Sequence, residues 1–206
     1  MAIRNIIFDM GQVLISWDPA ELMRNVGLDG ADAALVKREL FDEVEWIASD
    51  AGTMTEEEVV TSVCQRLPER LRDAVHALVF DWWKWPLSPK EGMDELIREL
   101  KGNGYRIYLL SNASIRLPEY FPRLPGSDCF DGAVVSALVQ MIKPSEEIYR
   151  CLCERYDLIP GECWFIDDNT INMYCARRFG LQGCVFHDDI PLLRERMRAA
   201  GINVRA

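Results

Sequence analysis

Five short apolar runs punctuate the chain, at residues 5–9 (NIIFD), 106–111 (RIYLLS), 132–136 (GAVVS), 163–167 (CWFID) and 183–187 (GCVFH). They are near-continuous hydrophobic runs, as expected of strands covered on both faces of a parallel sheet. Stretches with helical periodicity separate the later runs. Residues 89–104 put Met93, Leu96, Ile97 and Leu100 on one face and stop at Gly-Asn-Gly, which is a helix with its terminator. Residues 145–158, 171–181 and 189–201 carry similar spacing. Strand alternating with helix predicts an α/β fold with a doubly wound, Rossmann-like parallel sheet.

Between the first and second runs the pattern changes. From Trp17 to about Pro89 no strand is predicted, only amphipathic helix over residues 30–49, 55–67 and 68–85. Thr55 and Glu58 form a capping box that opens the middle one. A helical block this long exceeds an ordinary crossover connection, so it reads as an inserted helical domain. The predicted organisation is a core of residues 1–16 and 87–206 with an insert of residues 17–86. Proline-bearing segments at 16–19 and 85–89 bracket the insert and are expected to act as hinges.

Composition narrows the class. With 206 residues, 49% of them hydrophobic, the chain can bury a substantial core. A net charge of −10 argues against nucleic acid or an anionic membrane as a partner. Every apolar run is interrupted by charge or proline well short of the roughly 20 residues a membrane span needs. The seven cysteines contain no CxxC pair and, with only two histidines, no zinc pattern. Together with a start that lacks a signal-peptide pattern, this predicts a reduced, cytoplasmic chain; the oligomeric state is left open.

The chemistry lies where the strands end. In an open parallel sheet ligands bind beyond the carboxyl ends of the strands. Here those ends carry Asp9, then Ser111 and Asn112, then Lys143 after the third run, then Asp167 and Asp168. An apolar strand gives a carboxylate no local reason to be there. Three carboxylates, a lysine and a hydroxyl converging on one edge suggest a divalent cation and a phosphoryl group. A free aspartate, with a pKa near ~4, is ionised at neutral pH and can attack phosphorus without a base. It is repelled by a phosphate dianion, by roughly 4 kcal/mol per charge pair at ~4 Å and an effective dielectric of about 20. A magnesium ion and a lysine turn that repulsion into attraction.

The segments FDMGQVLI, LLSNAS, IKP and FIDDNTIN, in this order, resemble the four motifs of the haloacid dehalogenase superfamily of aspartate-nucleophile phosphotransferases. The helical insert resembles that superfamily's C1-type cap. The resemblance implies an Mg²⁺-dependent phosphomonoesterase acting on a small phosphorylated metabolite, with a sugar phosphate as the favoured class. It implies Asp9 as nucleophile and metal ligand, the Gly11 carbonyl as a further ligand, and Asp168 as the ligand from the last motif, supported by Asp167 and Asn172. Ser111 and Asn112 would hold the phosphoryl oxygens and Lys143 would neutralise charge.

One position departs from the family pattern. Phosphatases of this superfamily read Asp-x-Asp, whereas this chain reads Asp9-Met10-Gly11, as in the glucose-1-phosphatase-like branch. The missing second aspartate normally protonates the leaving group, and its loss costs a factor of ~10²–10⁴ unless another group replaces it. Two alternatives stand beside the phosphatase: a metal-independent dehalogenase-type hydrolase, and a catalytically idle binding protein. Three further expectations are local. The Trp82, Trp83 and Trp85 cluster either packs insert against core or offers a stacking platform for sugar. His76 is structural or exposed. Arg116 and the acidic residues Asp42, Glu43 and Glu45 are candidates to reach a substrate.

Overall fold

The computed structural model describes residues 2–205. Among the described residues seven strands run in chain order as β1 (Asn5–Phe8), β2 (Ile15–Ser16), β3 (Ser88–Pro89), β4 (Arg106–Ser111), β5 (Gly132–Val135), β6 (Cys163–Asp167) and β7 (Gln182–Val185). Five of them form one sheet in the order β5-β4-β1-β6-β7, with every neighbouring pair parallel. The α/β class that the alternation predicts is the class formed. In this order the winding direction reverses at β1, so β1 marks the switch point at which doubly wound sheets open a crevice. Asp9 is the residue that follows β1.

Both faces of the sheet are covered. Ile6 and Phe8 of β1 join Ile107 and Leu109 of β4 in one buried cluster. This cluster lies under α6 (Met93–Gly102) and α11 (Ile190–Ala199). The intervening residues Ile7, Tyr108 and Leu110 face the other way, against α9 (Glu146–Tyr156) and α10 (Thr170–Phe179). Period-2 alternation with apolar residues on both faces is the reason the runs look continuously hydrophobic.

The helical stretch has a buried cluster of its own, built on Val36, Leu40, Val59, Val63, Val75 and Leu78. Its helices are α1 (Pro19–Asn25), α2 (Gly30–Val36), α3 (Val44–Asp50), α4 (Glu56–Arg66) and α5 (Arg72–Phe80). The capping box forms: Thr55 Oγ1 accepts from Glu58 N–H, and Glu58 accepts from Thr55 N–H at 2.8 Å. The single helix predicted over 30–49 does not. α2 gives way to a π-helical turn, Lys37–Phe41, and the chain breaks at residues 42–43 before α3. Arg66 anchors that break, bonding Glu39 at 2.7 Å and Glu45 at 2.6 Å.

A second correction concerns the bracketing segments. The chain leaves and re-enters the sheet region through β2 and β3, which pair antiparallel with Ile15 opposite Pro89 and Ser16 opposite Ser88. Two residues per strand are too few to show as a pattern in the sequence. The remaining short helices are α7 (Leu117–Tyr120) and α8 (Ser136–Val139).

Candidate active site

The carboxyl ends of β1, β4 and β6 bring Asp9, Ser111 and Asp167 to one edge, because these strands are adjacent and in register. All three residues are buried. Lys143 arrives differently from the expectation. It does not follow β5 directly but lies beyond α8, on a loop clamped to the β4 end. There Asn112 Nδ2 donates to Lys143 O at 3.0 Å and Lys143 N–H donates to Asn112 Oδ1 at 2.8 Å. Asn112 thus positions the lysine.

The Lys143 ammonium is buried between two carboxylates. Its Nζ lies 2.8 Å from Asp9 Oδ1 and 2.8 Å from Asp167 Oδ2, and it donates to Leu110 O at 3.0 Å. Burial alone pushes such an ammonium down, but the charges of Asp9 and Asp167 outweigh it and hold the pKa above the ordinary lysine value. Asp9 feels the converse balance. Burial raises it, Lys143 lowers it, the charge of Asp167 raises it again, and the result is a pKa of about 7.

Asp167 is saturated by protein groups. Besides Lys143, Asn172 Nδ2 lies 3.1 Å from both of its oxygens, and Asn169 N–H donates to Oδ1 at 2.8 Å. Asn169, not either aspartate, caps α10, so helix capping does not account for the acidic pair. Asp168 is exposed and has no hydrogen-bond or ion-pair partner among the described residues. Partial desolvation by the surrounding site edge, then the charge of Asp167, raises its pKa.

One ligand atom from each of Asp9, Asp167 and Asp168 can lie within 4.8 Å of the others, the one such metal-competent group among the described residues. The donor set is all oxygen, which suits magnesium rather than a softer ion. With Asp167 occupied by Lys143 and Asn172, Asp9 and Asp168 are the carboxylates left to hold a cation. Two carboxylates and one carbonyl match what magnesium takes from a protein.

Gly11 follows in a turn whose left-handed residue is Gln12, at φ 57. Gly11 itself has no positive φ, and a Cβ placed on it would meet only Trp17 Cβ, at 3.7 Å. Glycine is therefore not demanded here by the backbone or by crowding. Gln12 Nε2 donates to Trp17 O at 2.7 Å and ties this turn to the start of the helical block.

A cavity of about 190 Å³ opens over this edge, lined by Asp9, Gly11, Asn112 and Asp168 from the sheet side. The helical block contributes Trp46, Asp50 and Val59. Trp17, Trp82 and Tyr120 complete an aromatic wall, with the Trp82 ring 4.6 Å from Trp17 and 5.3 Å from Tyr120. Of the tryptophan cluster only Trp82 reaches the cavity. The main-chain carbonyls of Trp83 and Trp85 accept from Arg123 on the surface. His76 is exposed and stacks on Phe80.

Two other expectations need correction. Arg116 does not reach into the cavity. Its guanidinium is engaged by Glu56, at 2.9 and 2.7 Å, and by Glu119 at 3.1 Å. Asp42 pairs with Lys37 at 2.6 Å, and Glu45 is held by Ser62 and Arg66, below the ordinary carboxylate range at about 2. Neither they nor Glu43 line the cavity. Two acids of the helical block do: Glu56, which is paired with Arg116, and Asp50, which its sequence context, an unremarkable helix end, did not single out. Burial first, then the charge of Asp9, pushes its pKa up to about 7.

A family model for haloacid dehalogenase-like hydrolases matches residues 3–180. The chain belongs to this family. Among haloacid dehalogenase-like relatives, a sesquiterpene phosphatase, astK, of Aspergillus oryzae is 27% identical over 95% of this chain and 95% of its own. A D-ribitol-5-phosphate phosphatase of Bacteroides thetaiotaomicron is 25% identical over 87% of this chain and 90% of its own. Solved family structures share the fold. A Bacteroides thetaiotaomicron enzyme in complex with magnesium and inorganic phosphate has a TM-score of 0.69 at 22% identity, covering 93% of this chain and 99% of its own. An L-2-haloacid dehalogenase has a TM-score of 0.68 at 20% identity, covering 92% and 86%. Two reaction classes thus sit on one backbone, and the haloacid dehalogenase-like fold alone does not choose between them.

Proposed function

We propose that this haloacid dehalogenase-like hydrolase is an Mg²⁺-dependent phosphomonoesterase that works through an aspartyl-phosphate at Asp9. The observation that carries this reading is the group of three carboxylates, Asp9, Asp167 and Asp168, with ligand atoms within 4.8 Å of one another and a buried lysine between two of them. A carbon–halogen hydrolase needs the nucleophile but no cluster of acids beside it. A phosphoryl dianion needs cationic charge on every side.

In this reading Asp9 and Asp168, with the Gly11 carbonyl, hold the magnesium, whose contribution is to neutralise phosphate charge and orient it. Ser111 and the main chain of Asn112 contact the phosphoryl oxygens, the Asn112 side chain being taken up by Lys143. Lys143 lowers the pKa of Asp9, favouring its ionised form against burial and the charge of Asp167, and attenuates its repulsion of the substrate. Asn172 fixes Asp167, which fixes Lys143. Residues 17–86 act as a cap that closes over the edge and excludes water.

The finer substrate class follows from the wall. Trp17, Trp46, Trp82, Val59 and Tyr120 give a phosphate ester with an apolar or aromatic body more surface to bury than a polyol has. At about 25 cal/mol per Å² such burial is the main source of affinity in a small site. The 27% identical sesquiterpene phosphatase points the same way, so an apolar organic phosphate replaces the sugar phosphate as the favoured substrate.

A panel of prenyl, aryl, alkyl and sugar phosphates, assayed for phosphate release with Mg²⁺, tests the reading. Wild type is expected to turn over apolar esters with the higher kcat/KM. Asp9→Asn and chelation by EDTA are each expected to abolish release. No turnover across the panel, or turnover indifferent to EDTA, would overthrow it.

A further inference from the structure

The family's proton donor is missing at Gly11, yet the cavity holds an acid from elsewhere. Asp50 is the last residue of α3, it lines the same cavity as Asp9, and its carboxyl has no hydrogen-bond or ion-pair partner among the described residues. Asp50 is half-buried, and carboxylates drawn out of bulk water in folded proteins are usually paired. The other acid that the helical block brings to this cavity, Glu56, is engaged by Arg116, and away from the cavity Glu39 and Glu45 are held by Arg66 and Asp42 by Lys37. Asp50 is set apart by being left free, and it is left free where the reaction would take place.

Its position is held by contacts that do not use its side chain. Ser136 Oγ donates to the Asp50 carbonyl, and Gln140 Nε2 donates to Gly52 O at 3.0 Å. Gly52 lies against α8 so closely that a Cβ there would sit 2.2 Å from Ala137 O, and its φ is +69. These contacts pin the end of α3 to the core, on the loop that leads on to Lys143. A second polar group without a partner, the buried Tyr120 hydroxyl, lines the same space.

From this geometry we infer that Asp50 is the general acid and base of the reaction, replacing from the helical block the aspartate that Gly11 lacks. The inference rests on the phosphatase reading above. In the first step an Asp9 oxygen forms a bond to phosphorus and the ester P–O bond breaks. The Asp50 carboxylic acid gives its proton to the departing oxygen, releasing the alcohol. In the second step water attacks phosphorus, the Asp9–phosphorus linkage breaks, and Asp50 takes the proton of the water, so that inorganic phosphate leaves and both residues are regenerated. Burial, proximity to Asp9 and the partial negative charge at a helix C-terminus all favour the protonated form in the resting site. A pKa of about 7 suits a group that must both give and take a proton near neutral pH. Burial, then the charge of Asp50, raises the pKa of the Tyr120 phenol, so that it stays protonated beside this carboxyl.

Leaving-group dependence tests the assignment. With Mg²⁺, kcat/KM is measured for 2,4-dinitrophenyl phosphate, whose phenolate departs without a proton, and for 2-phenylethyl phosphate, whose alkoxide needs one. Asp50→Asn is expected to lose about 10²-fold or more beyond any loss on the aryl ester when the alkyl ester is used. Asp50→Glu, which keeps an acid, is expected to recover part of that gap, and a thermal melt of each variant checks folding. Equal losses on both esters would overturn the inference, as would no loss on either. A selective loss in Tyr120→Phe but not in Asp50→Asn would also overturn it, by assigning the proton to the phenol. Failure of wild type on both esters would instead overturn the phosphatase reading and the inference with it.

Discussion

Replacing Lys143 by methionine removes the one cation that the protein places between Asp9 and Asp167. Methionine keeps most of the volume and the apolar stem, so the change is chiefly one of charge. Each carboxylate lies 2.8 Å from Nζ, and at an effective dielectric of about 20 each contact represents roughly 6 kcal/mol of gross attraction. Most of that offsets the desolvation of three buried charges. The measurable quantity is the cost of leaving buried carboxylates unpaired, about 3–5 kcal/mol. The variant can evade part of this by keeping a proton on Asp9, and that evasion fixes the sign of the pH dependence. Asp9 already has a folded pKa of about 7 against an ordinary 3.8, and losing the lysine raises it further. The folded variant therefore holds a proton that the unfolded chain has released, and its stability falls as pH rises from about 4 through that folded pKa. Lys143 itself stays charged in both states well below its ordinary pKa, so it adds no slope in this window. Urea unfolding in the presence of EDTA is expected to show Lys143→Met destabilised by about 3–5 kcal/mol at pH 8 and by about 1–2 kcal/mol at pH 5. A loss below about 1 kcal/mol at pH 8, or equal losses at both pH values, would refute the claim that this ion triad holds the sheet edge together.

Two further outcomes follow from the same electrostatics and from the space at Gly11. Gly11→Asp is expected to fold normally, since its Cβ meets only Trp17 at 3.7 Å, and to keep or raise phosphate release. Combined with Asp50→Asn it is expected to restore at least about 10-fold of the activity lost on 2-phenylethyl phosphate; no recovery in a folded double variant would count against a shared proton-transfer role. Metal-free wild type is expected to lose stability as pH rises from about 4 to about 7, because Asp50 and Asp9 are raised from 3.8 to about 7. The folded state then binds the extra protons. Asp50→Asn is expected to remove part of that slope, on the order of 2–4 kcal/mol across the window, in thermal or urea melts; a slope identical to wild type would show that Asp50 is not buried as a neutral acid.

The residues of the sheet edge were legible in the sequence because each is a polar interruption of an apolar run. Asp9, Ser111 and Asp167 terminate strands whose hydrophobicity predicts full burial, and a polar residue there is conspicuous before any coordinate is known. Adjacency of those strands then brings them together with little freedom. The capping box at Thr55 and Glu58 was legible for the same reason, since both halves lie within one helical turn. Lys143 was legible as a residue but not as a place: its Nζ reaches Asp9 only because Asn112 clamps its loop to the end of β4.

The sequence by itself determined the alternation of strand and helix, the helical stretch between β2 and β3, and the acids and lysine at the strand ends, all of which follow from local period and local contrast. Only the tertiary structure decided which helix end meets the sheet edge. Asp50 looks like any exposed acid at a helix terminus, and Trp17 and Trp46 look like core. Their arrival in one cavity depends on how the block packs on α8 and on the turn after β1. Such packing is set by contacts between residues far apart in the chain, Ser136 with Asp50 and Gly52 with Ala137 among them, and a periodicity that repeats every few residues carries no record of them.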